Sequence, residues 1–132
     1  MARVTKDEYY LDIAKAVSKR SPCLKRKVGA VIVKDDCIVS TGYNGPPRGE
    51  SHCDVCYRLH VESGHNYQDC PSVHAEENSI INAARYGMSI NGGVLYLYAD
   101  GNVSPCQRCS RAIINAGIKD VIYNKELATE ES

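Results

Sequence analysis

The stretch VGAVIVKDDCIVSTGY, residues 28–43, decides how the fold is built. Two runs rich in β-branched residues, 28–34 and 37–43, flank the pair Asp35 and Asp36. β-Branched side chains favour strands, and a two-residue polar link between two such runs is typical of a β-hairpin. The sequence therefore predicts two antiparallel strands joined by a tight turn.

A helical pattern precedes this hairpin. Residues 6–20 place apolar side chains at helical spacing, and the expected buried face consists of Tyr10, Ile13, Ala14 and Val17. After the hairpin, residues 44–50 read as a loop because they contain Gly and Pro, and residues 51–73 show no clear period.

Two further helices alternate with two further strands. We expect a helix from about residue 74 to 86, with Ile80, Ile81 and Ala84 on its buried side. A strand over 93–99, a helix within 104–118 and a strand over 119–124 follow. Helices between strands imply parallel crossovers. The sequence predicts one α/β domain over residues 1–132, a mixed sheet with helices packed on its faces.

Composition limits the classes of function. Sixteen basic and sixteen acidic residues cancel, so no overall charge favours nucleic acid or a membrane surface. No stretch reaches the ~20 apolar residues that span a bilayer. The N-terminal residues MARVTKDEYY do not resemble a secretory signal, so we expect a cytoplasmic protein.

Cysteine is frequent in this chain. There are seven: Cys23, Cys37, Cys53, Cys56, Cys70, Cys106 and Cys109. An odd number without a sign of export favours metal ligation or free thiols over a disulfide framework.

Two motifs carry metal chemistry. His74 opens the second helix, and Cys106 and Cys109 stand in PCQRC at the start of the third. A helix N-terminus favours the thiolate form of cysteine. One imidazole and two thiolates leave an open position on zinc, which is typical of a catalytic site. Either motif alone is weak, because C-x-x-C also occurs in redox pairs and in structural zinc sites.

Glu76 lies two residues after His74. At this spacing its carboxylate can reach water on the metal without ligating the metal. It can accept a proton from that water and later deliver the proton to a leaving group. The combined pattern H-x-E…P-C-x-x-C is the signature of zinc nucleobase deaminases.

The chain resembles the zinc-dependent deoxycytidylate (dCMP) deaminases of the cytidine deaminase-like superfamily over about residues 8–123. The resemblance rests on CLKRKVGAVIVKDDCIVSTGYNG, VHAEENSIINAARYG and SPCQRCSRAIINAGIKDVIY. Adenosine deaminases of tRNA and riboflavin-pathway deaminases usually lack the Gly-Tyr-Asn-Gly stretch at 42–45, and free-cytidine deaminases usually carry Cys where His74 stands. The resemblance implies a three-layer α-β-α fold.

The same resemblance implies an activity, namely hydrolytic deamination of dCMP to dUMP and ammonia, which feeds dTMP synthesis. A zinc-activated water would attack C4 of cytosine, and Glu76 would protonate N3 and then the departing amine. The backbone around Ala75 would hold the pyrimidine edge. Asn44 would contact the sugar or phosphate, and Asn78 would help to position the site.

The resemblance also implies regulation and assembly. The family often forms hexamers, and many members are activated by dCTP and inhibited by dTTP, with Mg²⁺ on the effector phosphates. Tyr43 and Arg85 match positions of that effector site. Longer relatives continue past the last strand, so we expect a homo-oligomer in which a neighbouring subunit, or Tyr123, completes the site.

A second zinc follows from the relatives that carry one. Cys23, Cys53 and Cys70 match the regions that supply its ligands, and Cys56 forms a C-x-x-C pair with Cys53. Ser72 occupies a position where some viral relatives have a ligand. The fourth ligand therefore stays open among Cys56 and the three histidines His52, His60 and His65. The alternative is four free thiols. Cys37 reads as a small apolar residue of the second strand.

Phosphate contacts have two candidates. A basic cluster consists of Lys19, Arg20, Lys25, Arg26 and Lys27, and Arg48 follows Asn44 in the next loop. Guanidinium and ammonium groups bind phosphate. The alternative is a solvated surface with nothing bound.

Rival functions make different demands. A deaminase of another nucleotide, or of a base in tRNA or single-stranded nucleic acid, shares the zinc motifs. The polynucleotide version needs a basic groove and stacking aromatics, and zero net charge with no Phe or Trp counts against it. A non-catalytic zinc-binding assembly module would have no use for Glu76. Four protein ligands on the first zinc would favour that module.

Overall fold

The computed structural model of the protein describes residues 2–52, 72–100 and 107–124. These ranges contain α1 (Lys6–Ser18), β1 (Val28–Lys34), β2 (Cys37–Tyr43), α2 (Ala75–Arg85), β3 (Val94–Ala99), α3 (Gln107–Asn115) and β4 (Asp120–Tyr123). The order of the predicted elements is confirmed, and β1 and β2 have the predicted bounds. The predictions for Cys53, Cys56, Cys70, Cys106, His60 and His65 lie outside the described residues.

The four strands form one mixed sheet in the order β2-β1-β3-β4. β1 is antiparallel to both of its neighbours, whereas β3 and β4 are parallel. Hence β2, β3 and β4 run in one direction, as the predicted crossovers require. Asp35 and Asp36, with φ of 53° and 60°, form the hairpin turn, because consecutive left-handed residues match the twist of the two strands.

Helices cover both faces of this sheet. On one face, α1 buries the α1-side core, which consists of Tyr10, Ala14, Val31, Val33 and Tyr96. On the other face, α2 and α3 bury the α2-side core, which consists of Ala30, Ile32, Ala75, Ala83, Ile90, Leu95, Leu97, Ala99, Ile113 and Ile118. The predicted three-layer α/β arrangement is confirmed. Among the described residues, no helix combines the length and the apolarity of a membrane span.

Glycine lets a helix lie directly on the hairpin at two places. A Cβ at Gly29 would overlap the backbone of Ala14 and Ser18 in α1. A Cβ at Gly42 would overlap the backbone of Ala75 and Ser79 in α2. The two strands of the hairpin therefore set the positions of α1 and α2 on opposite faces of the sheet.

The predicted buried face of α2 is wrong at two of three positions. Ile81 is 47% exposed and Ala84 is exposed, whereas Ile80 packs against the α2-side core. The residues buried in α2 are Ala75, Glu76, Ser79 and Ala83. Small residues face the sheet because α2 approaches β2 closely, and the Ser40 hydroxyl donates a 2.6 Å hydrogen bond to the Ser79 carbonyl.

Cys37 is the first residue of β2, but its side chain is exposed. The predicted strand position is confirmed, and the side chain is exposed because this residue directly follows the hairpin turn.

Candidate active site

The start of α2 is fixed against the end of β2 by backbone hydrogen bonds. Val73 N–H donates to the Gly45 carbonyl at 2.7 Å, and Gly45 N–H donates to the Val73 carbonyl at 3.2 Å. This pair of hydrogen bonds places His74, the residue before α2, beside the Gly-Tyr-Asn-Gly segment. The local geometry therefore brings two of the sequence motifs together.

His74 and Cys109 meet where α2 and α3 begin. The Nδ1 atom of His74 lies 3.2 Å from the Sγ atom of Cys109, and Cys109 is completely buried. Bond lengths of about 2.0–2.1 Å to nitrogen and about 2.3 Å to sulfur separate two ligand atoms of a tetrahedral zinc by about 3.6 Å. This donor pair therefore fits zinc with a displacement of a few tenths of an ångström. Cys106 lies outside the described residues, so its ligation stays a prediction.

Glu76 is buried in this cluster, with 6% of its surface exposed. Burial raises the pKa of Glu76, its own backbone N–H lowers this pKa, the nearby Glu77 raises it, and a hydrogen bond with the Cys109 side chain lowers it. Burial dominates, so the carboxyl keeps a proton to a higher pH than an exposed glutamate. A carboxyl group in this position is suited to carrying a proton.

Glu77 is a site residue that sequence reasoning missed. The ligand atoms of His74, Glu77 and Cys109 all lie within 4.8 Å of one another. The backbone N–H of His74 donates to the Glu77 carboxylate at 3.4 Å. A glutamate three residues after the N-cap is the second half of a capping box, and this was the available signal. Glu77 holds the start of α2 and so the backbone of His74.

Asn44 is buried, and its side-chain amide is hydrogen-bonded to the backbone around the start of β1. Its Oδ1 atom accepts a 2.9 Å hydrogen bond from Val28 N–H, and its Nδ2 atom donates to the Arg26 carbonyl at 2.8 Å. The Ser21 hydroxyl donates to the Asn44 carbonyl at 2.8 Å. These bonds tie the basic segment before β1 to the end of β2. The predicted contact between Asn44 and a nucleotide stays a prediction.

Asn78 links the same elements from α2. Its Nδ2 atom donates a 2.8 Å hydrogen bond to the carbonyl of Tyr43, which is half-buried. Ala75 is buried in the α2-side core. Ala75 and Asn78 thus border His74 and Glu76 in α2, and their contacts with substrate stay predictions.

Among the residues that the structure describes, Arg85, Arg48 and Cys23 are predicted site residues that do not belong to the metal-binding group of His74, Glu77 and Cys109. Arg85 is exposed in the last turn of α2, which at ~1.5 Å per residue lies about 15 Å along the helix from Ala75. The Arg48 guanidinium donates to the Asn82 side chain at 2.8 Å. Cys23 is half-buried. The predicted effector, phosphate and second-zinc roles of these residues stay predictions.

Lys27 and Tyr123, which the sequence also singles out, make contacts within the fold. The ammonium group of Lys27, a member of the basic cluster, donates a 2.8 Å hydrogen bond to the Ser21 carbonyl. This bond also holds together the segment before β1. Tyr123, at the end of β4, packs against the α2-side core. Its predicted role in completing the site stays a prediction.

Comparisons with known proteins agree with this geometry. The family model for the cytidine and deoxycytidylate deaminase zinc-binding region matches residues 4–125. The deoxycytidylate deaminase of Mycobacterium phage D29 is 40% identical, and the match covers 96% of this chain and 99% of that protein. The deoxycytidylate deaminase of Schizosaccharomyces pombe is 38% identical over 89% of this chain, but the chain spans only 36% of its length.

A solved structure is similar throughout the fold. It is the dCMP deaminase of cyanophage S-TIM5 in complex with dCMP and dUMP. It superposes with a TM-score of 0.74 at 31% identity, and the match covers 92% of this chain and 83% of that chain.

Proposed function

Because this chain belongs to the family of cytidine and deoxycytidylate deaminases, we propose that it converts dCMP and water into dUMP and ammonia. The observation that carries the proposal is that the half-buried His74 meets the buried Cys109, beside the buried Glu76, where α2 and α3 begin. The similar D29 and S-TIM5 proteins, both dCMP deaminases, support this choice of substrate.

His74 and Cys109, with Cys106 as the third predicted ligand, would hold a zinc ion. When bound, zinc lowers the pKa of a water ligand to about 7 and so supplies a nucleophile at neutral pH. The chain fixes its two described donor atoms through the buried Cys109 side chain and through the backbone of His74, which Glu77 and the Gly45–Val73 pairing hold.

Glu76 carries the protons of the reaction. It takes one proton from the attacking water and delivers it to N3 of the cytosine. The new C4–O bond replaces the C4–N4 bond, and Glu76 transfers the second proton of that water to the departing amine, which leaves as ammonia. Its burial supports this role, because burial raises the pKa of the carboxyl, and a carboxyl with a raised pKa holds a proton more readily for transfer to the substrate.

The finer assignments are proposed on the resemblance. Cys23, Cys53, Cys56 and Cys70 would hold a second zinc, and the half-buried thiol of Cys23 is compatible with ligation. Tyr43 and Arg85 would contact a dCTP or dTTP effector together with Mg²⁺, and the exposed guanidinium of Arg85 is accessible to phosphate. We further propose that the protein acts in the cytoplasm as a homo-oligomer, in the family's hexameric form.

The test is a substrate comparison on zinc-loaded protein. Ammonia release and the ultraviolet change would be followed with dCMP, CMP, deoxycytidine, dCTP and a single-stranded oligodeoxynucleotide. We expect rapid turnover of dCMP and far slower turnover of the others. No turnover of dCMP, with or without dCTP and Mg²⁺, would contradict the proposal, and turnover of the oligonucleotide would identify the rival deaminase class.

A further inference from the structure

Asn124 directly follows β4, and its side-chain amide continues the hydrogen bonding of the sheet where the strand ends. The last backbone pair of the parallel strands β3 and β4 is Leu97 with Tyr123. Two residues further along β3, the N–H of Ala99 donates to Oδ1 of Asn124 at 3.1 Å, and Nδ2 of Asn124 donates to the Ala99 carbonyl at 3.0 Å. One carboxamide therefore satisfies both backbone groups of Ala99, as a neighbouring strand would.

The contact between Asn124 and Ala99 is buried. Ala99 has no exposed surface, and Asn124 is 8% exposed. Loss of the carboxamide would leave a buried donor and a buried acceptor without a partner, and this costs more free energy than an average hydrogen bond contributes. Asn124 thus holds the end of β3 across 25 residues of chain, from the far end of the unit formed by β3, α3 and β4.

The strand next to β3 is held in a similar way. Ala99 pairs across the sheet with Val28 of β1. The Val28 N–H donates to Oδ1 of Asn44 at 2.9 Å, and Asn44 directly follows β2. In the sheet that the structure describes, the outer strands β2 and β4 therefore both end in Tyr-Asn. The two carboxamides hold the Val28–Ala99 pair from opposite sides.

Both carboxamides lie at the end of the sheet that carries the candidate site. β2, β3 and β4 run in one direction, and ligands of α/β proteins bind outside the carboxyl ends of such strands. Ala99 shares the α2-side core with Ala75, the residue that follows His74. After Ala99 the chain continues to α3, which contains the buried Cys109. The end of β3 thus lies between the elements that carry the two described donor residues.

We propose that Asn124 is a positioning residue of the metal site. By fixing Ala99 it fixes the point from which the chain continues to the C-x-x-C motif, and so the position of the Cys109 thiol relative to the His74 imidazole. In this role Asn124 acts through the backbone of β3 and is not itself a ligand. The inference rests on the proposed zinc site, but it does not depend on which nucleotide is the substrate.

A purely structural role of Asn124 predicts a different result. If the carboxamide only stabilised the fold, its loss would lower the free energy of unfolding by the same amount with and without zinc. A bound metal stabilises the native state by an amount that depends on its affinity. A positioning residue should therefore also reduce the rise in melting temperature that zinc produces.

The first experiment compares Asn124→Ala with a destabilised control, Ile118→Val. Ile118 is buried between α3 and β4, at the opposite end of the same unit. Zinc affinity is measured by competition with a chromophoric chelator. Loss of a group that holds a metal ligand directly costs about 10–100-fold in affinity, and Asn124 acts one step further away, so we expect about tenfold weaker zinc binding. Ile118→Val should bind zinc like the wild type.

The second experiment reports the geometry of the ligands. The visible absorption of the cobalt-substituted protein at saturating cobalt depends on how the thiolate and imidazole ligands surround the metal. The spectrum of Asn124→Ala should differ from that of the wild type, whereas the spectrum of Ile118→Val should not. Asn124→Ser, which keeps a small polar group but cannot contact both backbone groups of Ala99, replaces the alanine variant should that variant fail to fold.

Amide hydrogen exchange tests the contact in the wild type itself. The Ala99 N–H should exchange slowly, because it is buried and donates to Asn124. Rapid exchange of this amide in the zinc-loaded protein would overturn the inference, whatever the variants do.

Two further results would overturn the inference. One is wild-type zinc affinity in a folded Asn124→Ala or Asn124→Ser protein. The other is an equal loss of zinc affinity in Ile118→Val. Ammonia release from dCMP, measured on the same samples, separates this inference from the proposed reaction. A wild type that binds zinc but leaves dCMP unchanged contradicts the reaction alone, and an active wild type with unchanged zinc affinity in the Asn124 variants contradicts the inference alone.

Discussion

The helices α1 and α2 pack on opposite faces of the same hairpin, yet they bury different kinds of residue. In α1 the buried side follows hydrophobicity, with Tyr10 and Ala14 in the core and Ile13 and Val17 packed against it. In α2 the buried side consists of Ala75, Glu76, Ser79 and Ala83, while Ile81 is 47% exposed.

The difference lies in what holds each helix. The N-terminal half of α1 has polar hydrogen bonds at the margin of the core, since the Tyr10 hydroxyl donates to Asp36 at 2.7 Å and the Tyr96 hydroxyl donates to Asp7 at 2.7 Å. α2 instead brings a carboxyl into the interior, where it meets Cys109. An ordinary core avoids such a group, because burying a charge costs free energy. The packing of α2 therefore positions residues of the candidate active site, whereas the packing of α1 stabilises the fold.

The largest effect should separate two cysteines. Cys109 is buried beside His74, whereas Cys37 is exposed. Loss of a group that only supports a ligand costs about 10–100-fold in metal affinity or activity, so loss of a ligand should exceed this. We expect Cys109→Ser to lose zinc and deaminase activity and Cys37→Ser to keep both. The measurements are the zinc content by elemental analysis and the rate with dCMP. A zinc-loaded, active Cys109→Ser protein would contradict the assignment.

The next comparison concerns Gly29 and Gly42, the two strand glycines against which α1 and α2 pack. Gly29→Ala and Gly42→Ala each place a methyl group against helix backbone, and overpacking of this kind costs about 1–3 kcal/mol of unfolding free energy. The effects on activity should differ. Only Gly42→Ala displaces the helix that carries Glu76, so only this variant should lower kcat of the folded protein.

Denaturant unfolding and steady-state rates on the same samples would check that difference. The distinction between a site-positioning helix and a stabilising helix would fail if Gly29→Ala reduced kcat as much as Gly42→Ala.

Neighbouring isoleucines in α2 give a smaller effect. Ile80 packs against the α2-side core, whereas Ile81 is 47% exposed. Truncation of a buried isoleucine to alanine costs about 2–5 kcal/mol, and Ile80, which is partly buried, should lie near the lower end. Ile81→Ala should stay within about 0.5 kcal/mol. Unfolding in urea measures both, and the reverse order would mean that the helix is rotated.

The smallest effect concerns the pH dependence of the hydrogen bonds that Lys6 and Tyr10 of α1 donate to Asp36. A hydrogen bond from Lys6, and next one from Tyr10, lower the pKa of Asp36. The stabilisation is thus present above the unfolded value near 3.8 and is lost as the pH falls through the lowered folded value. The difference in melting temperature between wild type and Asp36→Asn should be small at pH 6 and should vanish once the pH falls below the lowered folded pKa of Asp36.

Tyr10, which donates a hydrogen bond to Asp36, loses its own proton only at alkaline pH. The hydrogen bond with Asp36, with burial next, raises the pKa of Tyr10 to about 12. Its contribution is complete below the ordinary value of 10.0 and is lost as the pH rises through about 12. A difference between wild type and Asp36→Asn that is as large below the folded pKa of Asp36 as at pH 6 would mean that the stabilisation does not depend on the Asp36 charge.

The sequence predicts the parts of this molecule that depend on local pattern. β1 and β2 have the predicted bounds because β-branched runs and the Asp35–Asp36 turn specify them within sixteen residues. The buried side of α2 was predicted wrongly because it depends on Gly42, which is 33 residues before Ala75 in the chain. Only the folded structure brings these two residues together.

The candidate site divides in the same way. The H-x-E and C-x-x-C motifs indicate that His74, Glu76 and Cys109 converge, and the structure brings these three together. Glu77 was missed because capping boxes are expected after Ser or Thr, and here the N-cap is His74. The motif does not reveal that a second carboxylate supports the backbone of a predicted metal ligand.

The most direct test compares two adjacent glutamates in the zinc-loaded protein. Glu76 is buried beside Cys109, and Glu77 accepts a hydrogen bond from the backbone of His74. We predict that Glu76→Gln lowers kcat with dCMP by about 10²–10⁴-fold and leaves the melting temperature equal or higher, because a buried carboxylate is removed. Glu77→Gln should keep most of the activity and melt slightly earlier. An active Glu76→Gln protein, or one that is inactive only because it unfolds, would contradict the account.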